Sequence, residues 1–212
     1  MKKTVFTLAL AAVFIAASPA AVVDFGNVSD WESSTFTLGG LEFGSFTVLS
    51  SATGGGSEVD ASGVAIKGEV DGDKVRLYFS GGWTADQGET VDTLINFDVT
   101  SLSAPIVGNT LRLDAYGVTG TGRALITENS IDDMDNIIAN KLVYSRPSGV
   151  QNRDTADYSP GQMHVEITKN VFVGGGTDGL AHISGFSQSF VVPEPVTLAM
   201  LALGGLMIRR RR

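Results

Sequence analysis

Residues 74–80 read KVRLYFS and residues 94–100 read LINFDVT. In the first, Val75, Leu77 and Phe79 alternate with Lys74, Arg76, Tyr78 and Ser80; in the second, Ile95, Phe97 and Val99 alternate with Asn96 and Asp98. Successive side chains of a β-strand point to opposite faces, so a period of two turns one set toward a core and the other toward solvent. Both stretches read as half-buried strands. Residues 110–118 repeat the pattern, with Leu111, Leu113 and Ala115 inward and Arg112, Asp114 and Tyr116 outward, and residues 163–173 continue it with Met163, Val165 and Ile167. In residues 41–48, Leu41 and Phe43 are odd whereas Phe46 and Val48 are even, and a β-bulge at Gly44 restores a common face.

Gly39-Gly40, Gly54-Gly55-Gly56, Asp71-Gly72, Gly81-Gly82 and Gly174-Gly175-Gly176 punctuate these strands. Short alternating strands with turn signals at such spacing predict an all-β domain, a two-sheet β-sandwich of jelly-roll type. One segment departs from the period. Ile131, Met134, Ile138 and Leu142 recur at helical spacing, and Ser130 with Asp133 resembles a capping box, which predicts one short surface helix over a sheet end. Residues 147–160, PSGVQNRDTADYSP, are polar apart from Val150 and read as a long surface loop. Residues 163–173 and 179–191 read as a hairpin, which places His164 opposite residue 189 and His182 opposite residue 171.

The chain of 212 residues carries a formal net charge of -8 and no Cys. Disulfide scaffolds and thiolate metal sites are therefore excluded. Nine basic and 22 acidic residues lie between the two end segments, so the central region is strongly acidic. Nucleic acid is a poor partner for such a domain, because affinity for phosphate backbones comes from clustered Lys and Arg.

The ends differ from the middle. Residues 1–20, MKKTVFTLALAAVFIAASPA, place Lys2 and Lys3 before an apolar stretch and close on small residues around Pro19. This is the layout of a secretory signal peptide, with cleavage expected between Ala20 and Ala21 by signal peptidase after passage through the general secretion machinery. Residues 21–190 form the sandwich domain. Residues 191–212, VVPEPVTLAMLALGGLMIRRRR, begin with Pro193 and Pro195, which stop a strand because proline donates no ladder hydrogen bond. Residues 196–208 carry no charge, and as a helix they span about 20 Å, short of the roughly 30 Å hydrocarbon core. Arg209, Arg210, Arg211 and Arg212 favour the cytoplasmic side, which leaves the domain outside a membrane engaged by this hydrophobic helix.

Val192-Pro193-Glu194-Pro195, the apolar stretch with Gly204-Gly205 and the terminal Arg cluster together resemble the PEP-CTERM sorting signal of bacterial exported proteins. The resemblance covers about a tenth of the chain. It implies that a membrane-embedded exosortase reads the tail and passes the protein, transiently anchored with its C-terminus in the cytoplasm, to the cell surface or extracellular matrix. It further implies an exopolysaccharide-producing bacterium, and it says nothing of the central domain's activity.

No G-x-S-x-G, P-loop or H-E-x-x-H motif occurs, and no catalytic residue or cofactor is assigned. His164 and Glu166 share a strand face as an ordinary polar pair. Asp71 with Asp73, and Asp132, Asp133 and Asp135, offer oxygens of the kind that hold Ca²⁺, but neither cluster continues into an EF-hand loop, so a turn and an acidic element start are the expectations. Trp31, Trp83, Tyr116 and Tyr158 are the candidates for a sugar-binding platform, with Trp83 at a strand end and Tyr158 in the polar loop expected to be exposed. The leading expectation is a non-enzymatic cell-surface or matrix protein. Its alternatives are an extracellular carbohydrate-binding module with a polysaccharide partner and, third, a glycan-active hydrolase with two converging carboxylates.

Overall fold

A computed structural model describes residues 21–193. Ala21, Val192 and Pro193 of the predicted signals fall within it. The predicted signal peptide with Ala20, and Glu194, Pro195, Gly204, Gly205 and the four terminal Arg with their hydrophobic helix, lie outside the described residues.

Among the described residues thirteen strands follow in order: β1 (Val23–Asn27), β2 (Phe36–Leu38), β3 (Leu41–Thr53), β4 (Ala65–Asp71), β5 (Lys74–Ala85), β6 (Thr90–Ser101), β7 (Ile106–Thr119), β8 (Arg123–Ile131), β9 (Ile137–Arg146), β10 (Gly149–Gln151), β11 (Arg153–Gln162), β12 (His164–Gly174) and β13 (Leu180–Val191). They make a six-stranded sheet in the order β1-β4-β5-β13-β7-β11 and a seven-stranded sheet in the order β10-β9-β8-β12-β6-β3-β2. About the β8–β9 hairpin the pairings nest: β7 pairs with β11, β6 with β12 and β5 with β13, all antiparallel. That nesting is the jelly-roll topology, and it delivers the all-β sandwich the alternation predicts.

β6 shows why these residues form strands. Val91, Thr93, Ile95, Phe97, Val99 and Ser101 are buried while their neighbours are half-exposed, a strict period of two. Rings cross the space between the sheets: Phe46 stacks on Phe97 at 5.1 Å, Phe97 meets Phe79 at 5.7 Å, Phe79 stacks on Phe186 at 4.9 Å, and Phe186 meets Trp83 at 5.7 Å. Offset ring pairs of this kind add about 0.5–1.5 kcal/mol each beyond their buried area. The expected bulge in β3 is present between Gly44 and Thr47 and brings Phe46 into the core with Leu41 and Phe43. Ser45 takes the positive φ of 54°, while Gly44 lies against Thr35, whose Cγ2 sits 2.7 Å from where a Cβ would be.

Several expectations need correction. Residues 131–142 hold no helix: Ile131 ends β8, Asp132 caps a turn by accepting from the Met134 and Asn136 N–H groups at 2.9 Å each, and Ile138 and Leu142 belong to β9. The inner face of this hairpin is partly polar, with Glu128, Ser130, Lys141 and Ser145 buried and Met134 and Leu142 exposed. Polar residues inside and apolar ones outside erased the period of two, and a chance helical spacing remained. Among the described residues the helical turns are two short 3-10 segments, Val28–Trp31 and Ala61–Gly63, and no helix is long and apolar enough to cross a membrane. Residues 147–160 form β10 and most of β11, whose polar character reflects sheet edges. β12 and β13 are no hairpin, since β12 lies in the seven-stranded sheet and β13 in the six-stranded one. His164 faces Thr100 and Ile131 lies near it in register, while His182 pairs with Thr84 and Gly117 on the other sheet. Gly81 and Gly82 lie within β5, Met163 is exposed just before β12, and a register shift beside Ala115 exposes Ala115 and turns Tyr116 toward the core.

Candidate functional site: a cationic groove on one sheet face

The four aromatic candidates make no shared platform. Trp83 is fully buried and Tyr158 is 5% exposed, so the expectation that both face solvent is overturned. Gly81 and Gly82, read as a turn, lie within β5, and Gly81 leaves room for the indole: a Cβ there would sit 2.7 Å from the Trp83 ring. Tyr158 is drawn inside because β11 covers the sandwich edge and its hydroxyl donates to Ser130 Oγ at 2.9 Å. Trp31 is half-buried, donates from Nε1 to the Phe25 carbonyl at 2.7 Å and packs edge-on to Phe36 at 4.8 Å. Tyr116 packs against the core edge.

The outer face of the six-stranded sheet carries a different feature. β13 lies between β5 and β7, and register aligns Arg76, Ser189 and Thr110 in one row and Tyr78, Ser187, Arg112 and Arg153 in the next. Small side chains on β13 make a floor, and cations rise on both sides: Lys74 and Arg76 from β5, Arg112 from β7 and Arg153 from β11. The groove runs along β13 to Val191. Four of the nine basic residues between the end segments thus converge on one face of an acidic domain.

These cations are held differently. Arg76 donates from Nε to Ser189 Oγ at 3.0 Å and pairs with Glu69, which also accepts from the Tyr78 hydroxyl at 2.7 Å. Burial holds the Tyr78 hydroxyl above its usual range, so it stays a donor. Arg112 Nε lies 3.0 Å from Asp114 and its side chain is 60% exposed. Lys74 and Arg153 pair with no carboxylate among the described residues. Fixed and free cations over a floor of hydroxyl groups suit an extended anionic ligand. Among the described residues no carboxylate lines the groove. The sequence showed Lys74, Arg76 and Arg112 as outward residues one at a time, and only the non-local pairing of β5, β13, β7 and β11 gathers them.

Between the sheets lies a second polar cluster that the sequence did not announce. Glu128 on β8, Lys141 on β9, Lys169 on β12, Asn109 on β7 and Gln188 on β13 are all buried. Lys141 Nζ is 2.9 Å from Glu128 Oε1 and donates to Ser130 Oγ at 3.3 Å. Lys169 Nζ contacts both Glu128 Oε2 and Gln188 Oε1. Gln188 Nε2 and Asn109 Nδ2 each donate to Glu128 Oε1, at 3.1 and 3.0 Å. Burial pushes the Lys169 ammonium down to about 8 against the pull of Glu128. Burial also pushes the Glu128 carboxyl up, but Lys169 and Lys141 together outweigh it and hold Glu128 below the usual carboxylate range.

His164 serves to tie a turn, with Nδ1 2.7 Å from Asp133 and Nε2 3.9 Å from Asp98. Asp71-Gly72-Asp73 encloses the β4–β5 hairpin turn, with Gly72 at a φ of 59°. Among the described residues no three His, Cys, Asp or Glu side chains gather in a way that could hold a metal ion.

No protein-family model matches the chain, and no curated protein does. Solved structures give slight likenesses. The enzymatically active domain of bacteriophage CBA120 tailspike protein 4 is 14% identical with a TM-score of 0.28, over 67% of this chain and 19% of that one. The module TmCBM61, solved with beta-1,4-galactotriose, is 11% identical with a TM-score of 0.29, over 66% of this chain and 86% of that one. A structure of infectious bursal disease virus, Gx strain, is 12% identical with a TM-score of 0.26, over 90% of this chain and 38% of that one. The chain thus spans about a fifth of the tailspike domain's length, and likenesses this slight carry neither ligand nor activity to it.

Proposed function

We propose that the protein is exported and retained at the cell surface or in the extracellular matrix, where its sandwich acts by binding or assembly rather than by catalysis. The secretion machinery removes residues 1–20, and an exosortase-like enzyme reads the segment from Val192-Pro193-Glu194-Pro195 to Arg212 after the apolar helix has engaged the membrane. The observation that carries this reading is where the first and last strands of the described residues lie. β1 starts at Val23, three residues past Ala20, and β13 ends at Val191, with the Val192 N–H donating to the Asp73 carbonyl at 2.8 Å. The described core closes at Val192, the first residue of the tail motif, whose side chain is buried, while Ala21, just past the expected cleavage point, is exposed. Intact-mass analysis of the protein recovered from cell-surface, membrane and medium fractions of its host tests the reading. The expected mature form starts at Ala21 and lacks the Arg-terminated tail, and a surface form that still carries residues 196–212 would reduce the tail to a lasting membrane anchor.

The groove favours a second, compatible reading: an extracellular carbohydrate-binding role for a polysaccharide with acidic groups. Supporting it are the convergence of Lys74, Arg76, Arg112 and Arg153, the hydroxyl floor and the absence of a lining carboxylate among the described residues. The tail leaves the domain at the Val191 end of this groove, so the groove lies on the face continuous with the attachment point.

A further inference from the structure

The interior of the sandwich holds two lysines against one glutamate, all at the bottom of the exposure scale: the Lys141, Lys169 and Glu128 side chains are each 0% exposed. A core that keeps an uncompensated ammonium is costly, because a buried charge needs a full complement of partners. The partners are here but shared, with one carboxylate between two lysines. Glu128 must serve both lysines as well as Asn109 and Gln188, while Asn109 Oδ1, which lies buried beside them, accepts from nothing. The arrangement is chemically directed, however. Lys169 Nζ touches the Gln188 side-chain oxygen and Glu128 Oε2, while Gln188 Nε2 already donates to Glu128 Oε1 at 3.1 Å. One carboxylate therefore bridges a nucleophilic nitrogen and the nitrogen that would leave. The Phe97 ring, 5.5 Å from Nζ, walls the site from solvent.

We propose that Lys169 and Gln188 join in an intramolecular isopeptide bond that straps one sheet to the other, with Glu128 as the proton-transfer residue. Glu128 Oε2 takes a proton from the Lys169 ammonium, and the resulting amine adds to the Gln188 side-chain carbonyl carbon. The carboxyl then protonates Nε2, the bond from that carbon to Nε2 breaks, and the departing ammonia carries off the second proton of Nζ. One ammonium and one carboxamide become one secondary amide and one ammonium ion, so atoms and charge balance and no oxidant is needed. Burial, which holds Lys169 down to about 8, eases the first proton transfer. The positive charge leaves the core with the ammonium, and Glu128 and Lys141 remain as a balanced pair 2.9 Å apart. The link joins β12 to β13, consecutive strands that lie on opposite sheets. In a chain with no Cys it would supply the covalent bracing that exported proteins otherwise take from disulfides.

Mass spectrometry of the protein as it is recovered from its host tests the proposal without any variant. The denatured chain, cleaved at Phe172 or Phe186 between the two residues, is expected to yield two peptides joined through Lys169 and Gln188, together lighter by one ammonia. Trypsin is expected to fail after Lys169. Recovery of the two peptides separately, with tryptic cleavage at Lys169, overturns the proposal. So does an ammonia loss that maps to Lys141 and Asn109 instead, because the assigned pair would then be wrong. In Lys169→Met, and in Glu128→Gln, the joined species is expected to vanish from the folded fraction. A joined species that persists in folded Glu128→Gln at the wild-type level removes Glu128 from the mechanism.

Discussion

Trp83 carries an indole N–H that meets no acceptor among the described residues, in a position with no exposed surface. An orphaned buried donor costs about 1–3 kcal/mol, and the ring's packing against Phe186 more than offsets it. Two substitutions separate these contributions. Trp83→Ala removes the packing and is expected to cost about 3–5 kcal/mol. Trp83→Phe keeps a ring and deletes the orphan donor, so its cost is expected to fall well below that range. Equilibrium urea unfolding measures both, and equal costs for the two would mean that the N–H is satisfied in solution. The ring's burial is hidden at the sequence level because Gly81-Gly82 reads as a strand end, whereas both glycines lie within β5 and Gly81 leaves the space beside the indole. Glu128, Lys141 and Lys169 were hidden for a related reason. Charged residues on an alternating strand are ordinarily assigned to the wet face, and here all three point inward because each supplies what the others need.

The strands divide into those whose pattern tells the truth and those whose pattern is inverted. β5, β6 and β12 bury apolar residues at every second position, apart from Gly81, Thr93, Ser101 and Lys169, and are readable at once. β8 and β9 bury Glu128, Ser130, Lys141 and Ser145 while Leu142 faces out, so no local rule could separate them from a helix. β11 reads as a loop in the sequence because an edge strand needs few apolar residues. The groove belongs to this scale, since no single strand contains it. Arg112 and Arg153 stand on adjacent strands as direct partners, a like-charged cross-strand pair that disfavours the empty sheet and would be relieved by an anion between them. The protein is expected to be retarded in a gel containing polygalacturonate and not in one containing neutral dextran, with the retardation fading as salt screens the contacts. The double variant Arg112→Glu, Arg153→Glu is expected to lose about tenfold in affinity, or 1.4 kcal/mol, in line with small contributions from each exposed contact. Unchanged retardation of the double variant would move any polyanion binding off this face.

At the scale of the molecule, nested pairing makes β13, the last strand, a central one: it holds β5 on one side and β7 on the other. A period of two reveals that a residue faces a core but not which of two sheets carries it, so the jelly-roll class was legible while the pairing of β12 and β13 was not. The same topology decides what the domain needs in order to fold. Phe186, Gln188 and Phe190 on β13 are buried, as is Val28 just after β1, and the last backbone hydrogen bond of the described core is made by Val192. A chain of residues 21–193 is therefore expected to unfold in one cooperative transition, with a midpoint close to that of the full-length chain in the same mild detergent. A difference under about 1 kcal/mol corresponds to roughly 2–4 °C at this size. A chain ended at residue 185 loses the second half of β13, which splits the six-stranded sheet between β5 and β7, and it is expected to show no cooperative transition at all. Calorimetry of the three chains distinguishes the cases. If the 21–193 chain melted without cooperativity, the end segments would be part of the fold, and they could not be the removable signals that the export reading requires.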